Sequence, residues 1–147
     1  MKVLLSGGGT AGHITPLLAV ARELRIARPD STIQFIGQTG DANVTVIKKS
    51  ELVSSVYTVR AGKFRRFHSL TLLQNILNFK VNLLNLRDIF FIVVGFFQSV
   101  SLLIRERPDV IFFKGGFVVV PIGFAARMLR IPYMTHDSDP IPGLANK

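Results

Sequence analysis

The sequence predicts an α/β domain built on a Rossmann-like parallel sheet with flanking helices, and three observations carry that expectation. Short, wholly apolar runs, Val3-Leu4-Leu5 and Val110-Ile111-Phe112-Phe113, suit strands buried on both faces. Each is followed by glycines, Gly7-Gly8-Gly9 in the first case and Gly115-Gly116 in the second. A strand, a helical pattern and another strand also fit within roughly 35 residues, which is a βαβ unit and requires parallel pairing.

The elements follow in order. A first strand is expected at residues 2–6. Thr15 followed by Pro16 reads as a hydroxyl N-cap and a first helical position. The first helix is therefore expected from Pro16 to about Arg28, with His13 in the loop before it. Leu17, Val20, Ala21 and Leu24 fall on one stripe at i, i+3, i+4 and i+7. Pro29-Asp30-Ser31 ends that helix, and Thr32 to Ile36 forms the second strand, closing at Gly37. Asp41 to Ser50 suggests a short helix, and Leu52 to Val59 a third strand.

The chain then changes character. From Lys48 to Arg87 there are eight lysines and arginines and a single acid, Glu51. The densest run holds Arg60, Lys63, Phe64, Arg65, Arg66, Phe67 and His68. It leads into an amphipathic pattern from Ser69 to Leu86, where Leu72, Leu73 and Ile76 share an apolar face opposite uncharged polar residues. A solvated face, a buried helical layer and a nucleic-acid patch are the ordinary alternatives. Interleaved phenylalanines followed by an apolar face suit an anionic bilayer surface better. Lys63, Phe64, Arg65, Arg66, Phe67, Leu72, Leu73 and Ile76 are the candidate contacts, and no nucleic-acid partner is expected. Ile89 to Ile104 is uncharged but short of the ~20 apolar residues of a spanning helix, so it reads first as a buried crossover helix, with an interface or partner contact and membrane insertion as the alternatives. A fourth strand at Val110–Phe113, a helix from Pro121 to about Leu129 and a fifth strand at Ile131–Thr135 complete the pattern. His136 to Lys147 reads as an irregular polar loop.

The totals set bounds. With 147 residues, 48% hydrophobic and 18% charged, the chain is expected to form one domain with a real core, and disorder is excluded. The absence of cysteine excludes a disulfide scaffold and fits a cytoplasmic setting. A net charge of +9 points to an anionic partner. Met1 to Leu5 runs straight into glycines, which does not read as a signal peptide.

In an open α/β sheet, ligands bind beyond the carboxyl ends of the strands, where strand order reverses. Residues 6–15, 114–120 and 136–147 follow strands on that edge. Gly8, Gly9, Thr10, Ala11, Gly12, Gly115 and Gly116 can present backbone N–H groups to phosphates. His13 reads either as a neutral imidazole taking a proton from a substrate hydroxyl or as a loop residue bonding backbone. His68 and His136 read as structural or surface residues, while Asp137 and Asp139 suit either a ligand or a turn. Gly7-x-Gly9-x-x-Gly12 formally matches a dinucleotide fingerprint. The acid that should close the second strand is missing, however: the position reads Ile36-Gly37-Gln38. No metal-ligand spacing, nucleophile elbow or phosphate-loop lysine is present, so no metal or cofactor is expected.

Three motifs together resemble one family. Gly8-Gly9-Thr10-Ala11-Gly12-His13-Ile14-Thr15-Pro16 resembles the opening motif of MurG-type glycosyltransferases (glycosyltransferase family 28). Arg107-Pro108-Asp109-Val110 through Gly115-Gly116-Phe117-Val118 looks like that family's second glycine loop. His136 to Lys147 looks like the motif closing its N-terminal domain. The resemblance implies a GT-B fold, with residues 1–147 as the Rossmann-like acceptor-binding half. It implies inverting transfer of N-acetylglucosamine from UDP-N-acetylglucosamine to an undecaprenyl-pyrophosphoryl-muramoyl-pentapeptide in peptidoglycan synthesis. By the same resemblance His13 is the general base and the glycine loops take the acceptor diphosphate. Thr10, Gly12, Asp137, Asp139 and Asn146 join His13 in substrate contact, and the domain docks peripherally on the cytoplasmic membrane face. The chain departs from the family pattern in reading His136-Asp137-Ser138-Asp139 for His-Glu-Gln-Asn. It also has Phe117 in place of a common tyrosine and Val119 in place of a usual serine. Most UDP-sugar contacts are expected in a donor half beyond Lys147, so this chain alone should not turn over. A non-catalytic membrane-docking subunit of a split transferase is the other reading.

Overall fold

The computed structural model describes residues 1–63 and 79–136. Five strands, β1 (Lys2–Ser6), β2 (Thr32–Gln38), β3 (Ser55–Val59), β4 (Val110–Phe113) and β5 (Tyr133–Thr135), form one sheet in the order β3-β2-β1-β4-β5. Every neighbouring pair is parallel, as the βαβ pattern requires. β1 is central: Leu5 pairs with Phe35 on one side and Phe112 on the other.

Alternation along β1 divides the core. Val3 and Leu5 face a cluster with Ile14, Leu17, Ala21, Ile33, Phe35 and Ile47, supplied largely by α1 (Ala11–Ala27) and α2 (Asn43–Lys49). Leu4 faces the other cluster, with Ile111, Phe113, Leu102, Leu103 and Ile122, which brings in α3 (Phe79–Glu106) and α4 (Val119–Met128). Side chains on a strand point alternately to opposite faces, so one apolar run serves two helical layers.

Two expectations are corrected. The first helix begins at Ala11 rather than Pro16, with extended Thr10 as the N-cap residue and Pro16 inside. His13 therefore sits in the first helical turn, not in a loop. Proline removes only the bond that would reach the Gly12 carbonyl, and Gly12 lies in an exposed turn. Ile14, 3% exposed, anchors that turn in the core.

The second correction concerns the middle of the chain. Instead of two helices parted near Leu86, residues 79–106 form a single 28-residue helix, about 42 Å long at 1.5 Å per residue. Arg87 and Asp88 remain helical because Asp88 turns inward and pairs with Arg87 at 3.0 Å. The helix is not a buried crossover along its length. Asp88, Gly95, Ser99, Leu102 and Leu103 form its buried stripe, while Phe90, Val93 and Phe97 stand exposed. Its Asn82–Glu106 portion is long and apolar enough to cross a membrane, with a mean hydropathy of 1.7 in a window that is 28% buried. Gly95 and Gly62 allow the close approach of the β3–α3 connection. A Cβ on Gly95 would strike the Arg60 carbonyl, and one on Gly62 the Asp88 carbonyl.

Candidate active site

Strand order reverses on either side of β1: the chain first builds outward to β3, then returns to place β4 on the opposite flank. The switch point of this sheet thus lies between the carboxyl ends of β1 and β4, where ligands of such folds bind. Those two ends carry the two glycine loops. Lys114 N–H donates to the Ser6 carbonyl at 2.9 Å, which ties the loops together at their roots.

Three glycines in these loops have positive φ, Gly9 at 84°, Gly115 at 92° and Gly116 at 86°, a region where L side chains are strained. Their missing side chains also make room. A Cβ on Gly116 would stand 3.1 Å from His13 Cε1 and 3.2 Å from the Gly8 carbonyl oxygen; one on Gly9 would stand 3.1 Å from the Phe117 ring. The second loop therefore lies directly against the first, with His13 between them.

His13 Nδ1 is 2.6 Å from the Gly8 carbonyl oxygen and 3.4 Å from Thr10 Oγ1. A carbonyl can only accept, so Nδ1 carries the proton and donates. In the neutral ring this leaves Nε2 unprotonated, the form that accepts a proton. The backbone-bonding reading of His13 is met by this contact, and it is compatible with a base acting through Nε2.

Asp41 is the residue that sequence reasoning missed. Its Oδ2 accepts the Gly9 N–H at 2.9 Å, while Oδ1 accepts the Asn43 N–H at 2.9 Å and the Asn43 side-chain amide at 2.8 Å. Burial alone raises its pKa, but the bonds from Gly9 and Asn43 outweigh it and hold the carboxyl below its ordinary value. The Gly9 N–H, expected to face a phosphate, is thus already bonded to a carboxylate. A signal existed: Asp41 follows Gly40 just past β2, on the same carboxyl edge as the glycine loops.

Of the other expected site residues, Gly8 and Gly115 are buried and Thr10 and Gly12 are exposed; Lys114, not among those expected, is buried between the loops. Ser6 Oγ, also buried there, has no hydrogen-bond partner among the described residues. His136 is exposed at the end of β5, its N–H donating to the Phe113 carbonyl at 2.8 Å and its ring 6.4 Å from that of Phe112. Asp137, Asp139 and Asn146 lie outside the described residues, as do Phe64, Arg65, Arg66, Phe67, Leu72, Leu73 and Ile76. Lys63 is exposed. Phe91 lies under two guanidinium groups, Arg60 at 5.1 Å and Arg87 at 5.5 Å. A groove of about 700 Å³ between α3 and α4 is lined by Ile92, Val93, Phe96, Phe97, Phe124, Arg127 and Met128.

Comparison with known proteins identifies the family and the fold. The glycosyltransferase family 28 N-terminal domain matches residues 3–147. Proteins of Clostridium botulinum and Clostridium perfringens, each named UDP-N-acetylglucosamine–N-acetylmuramyl-(pentapeptide) pyrophosphoryl-undecaprenol N-acetylglucosamine transferase, are 38% and 37% identical over 146 residues. The match covers 99% of this chain and 36% of each relative, so the chain spans about a third of their length. The crystal structure of Acinetobacter baumannii MurG superposes with a TM-score of 0.72 at 22% identity, over 99% of this chain and 37% of that one, which supports the shared fold. The chain belongs to glycosyltransferase family 28, as its N-terminal domain.

Proposed function

We propose that this domain is the acceptor-binding half of an inverting N-acetylglucosaminyltransferase that acts on an undecaprenyl-pyrophosphoryl-muramoyl-pentapeptide. The observation that carries this reading is His13 held between two glycine loops at the switch point, with Nδ1–H on the Gly8 carbonyl. Nε2 takes the proton from the muramoyl 4-hydroxyl as that oxygen attacks the anomeric carbon of the donor sugar. The bond to the UDP oxygen breaks as the new glycosidic bond forms, the configuration inverts, and UDP leaves with the electron pair. This displacement needs no covalent intermediate.

The acceptor diphosphate is assigned to backbone N–H groups. The Ala11 and Gly12 N–H groups open α1 without an intrahelical carbonyl four residues back, the His13 N–H being bonded to the Thr10 carbonyl at 3.1 Å, and the helix dipole favours an anion there. Gly115 and Gly116 add the facing wall. Gly9 contributes shape rather than a donor, because Asp41 holds its N–H.

The relatives' printed activity uses UDP-N-acetylglucosamine, and its principal contacts are assigned to a donor half that follows this domain. A lipid-borne acceptor requires the domain to work at the cytoplasmic membrane face. Basic Lys63, Arg65 and Arg66, with Phe64, Phe67 and the apolar Leu72, Leu73 and Ile76, remain the proposed contacts. The exposed apolar face of α3 supports them.

The deciding experiment compares transfer by full-length wild type and His13→Gln. A general base contributes ~10²–10⁴-fold, so kcat is expected to fall by that amount. A loss below tenfold overturns the base. It would favour the non-catalytic docking subunit, which predicts vesicle binding untouched by His13→Gln.

A further inference from the structure

The Gly8–Gly9 peptide is a single planar unit with two ends, and each end is bonded. Its N–H, on Gly9, donates to Asp41 Oδ2 at 2.9 Å; its C=O, on Gly8, accepts from His13 Nδ1 at 2.6 Å. In a trans peptide these groups point in opposite directions along one dipole. The carboxylate, the peptide and the imidazole therefore stand in series.

We propose that Asp41 is a positioning residue for His13, acting through the Gly8–Gly9 peptide as a carboxylate–peptide–imidazole relay. The inference rests on His13 being the base. A carboxylate accepting an N–H makes a charge-assisted bond, and bonds in such a chain polarise one another. The negative charge draws the Gly9 proton and leaves the Gly8 carbonyl a stronger acceptor. That acceptor fixes the proton of the neutral ring on Nδ1 and stabilises the imidazolium that forms when Nε2 takes the substrate proton. Carboxylates bonded directly to ligating or catalytic histidines set tautomer and orientation in the same way; here a peptide is interposed.

Three further observations support the relay. Asn43 gives Oδ1 two hydrogen bonds, so the carboxylate is oriented and Oδ2 stays on the loop. Its pKa is held low, so it is ionised when the base works. Space at Gly8 is also reserved for it: a Cβ there would come within 3.0 Å of Asp41 Oδ2. A side chain there would press the carboxylate back from the peptide by a few tenths of an ångström.

The test reads the tautomer directly. The chain has three histidines, so ¹⁵N-histidine labelling gives three ring pairs, and His13→Gln identifies that of His13. In mildly alkaline solution the wild-type ring is expected with Nδ1 protonated and Nε2 bare. Asp41→Asn, which keeps an oxygen for Gly9 but removes the charge, is expected to move the population toward the Nε2–H form, and Asp41→Ala further. Should Asp41→Ala fail to fold, Asp41→Asn decides alone. In the full-length enzyme, Asp41→Asn should lower kcat by roughly 10–100-fold, the range of carboxylates behind functional histidines, with KM little changed. A His13 tautomer unchanged in the folded Asp41→Asn chain overturns the relay, whatever His13→Gln does to transfer. If His13→Gln keeps transfer within tenfold, the base falls, and the relay falls with it as a catalytic device.

Discussion

The carboxyl edge of the sheet and the outer face of α3, the two surfaces proposed to carry function, are made by opposite means. At the edge, the site exists because side chains are missing: Gly8, Gly9 and Gly116 leave the space in which backbone, Asp41 and His13 meet. On α3, bulky side chains are left over after folding, with Phe97 66% and Phe90 60% exposed. One surface tolerates no addition and the other is all addition. The difference teaches where each is vulnerable, since the edge fails through a methyl group and the helix face through a charge.

The sharpest way to break the contrast is Gly116→Ala. Its φ of 86° strains any L residue, and its Cβ would press on His13 Cε1. Transfer in the full-length enzyme is expected to fall as far as in His13→Gln, ~10²–10⁴-fold, measured as kcat/KM. Gly40→Ala supplies the control. Its φ of 84° is equally strained, but nothing lies within 4 Å of the added Cβ. It should lower stability by about 1–2 kcal/mol and leave the turnover of the folded enzyme unchanged.

On the helix face the expected effect is smaller. Phe97→Asp removes an exposed apolar group lining the α3–α4 groove and should weaken partitioning onto anionic vesicles roughly 10–100-fold, given ~1.5–3 kcal/mol for a buried aromatic side chain. Transfer to a soluble acceptor should be untouched. Arg65→Glu with Arg66→Glu should weaken the same binding by a salt-sensitive amount, ~1 kcal/mol per basic residue. Vesicle binding equal to wild type in both variants would remove the docking role.

Acid sharpens the comparison further, because it acts on Asp41 at the edge and not on the apolar face. Asp41 sits below its ordinary value, and so does Glu106, held first by the Gln34 amide and then by Arg105. A depressed carboxyl contributes stability that is whole above its unfolded value, 3.8 or 4.5 here. That stability is lost as pH falls through the lower folded one. The melting temperature should therefore drop between neutral pH and about pH 3, and Asp41→Asn combined with Glu106→Gln should flatten that drop. The smallest effect is expected from Ser6→Ala, which deletes a buried hydroxyl without a partner among the described residues. Thermal unfolding should show it neutral or stabilised by up to ~1 kcal/mol.

Much of this was legible in the residues. All five strands were, because buried parallel strands are short apolar runs that local pattern alone reveals. The two glycine loops and His13 stood out for the same reason: they are strings of consecutive residues. The start of α1 was misread because Thr15-Pro16 is a good local helix start, whereas the burial of Ile14 in the core sets the boundary at Ala11. α3 was divided at Arg87-Asp88 because two charges in a row look like a break until Asp88 finds its inward position.

By itself, then, the sequence determined the fold class, the order of its elements, the family motifs and the candidate base. These depend on propensity, period and spacing along the chain. Only the tertiary structure decided that Asp41, 32 residues from Gly9, closes onto the glycine loop, that His13 gives its Nδ1 proton to Gly8, and that α3 keeps its apolar outer face exposed. The Asp41 contact and the exposure of α3 depend on residues distant along the chain, whereas His13 and Gly8 are five residues apart and meet because the helix begins early, at Ala11. Strand order and packing set such distances, and no local pattern records them.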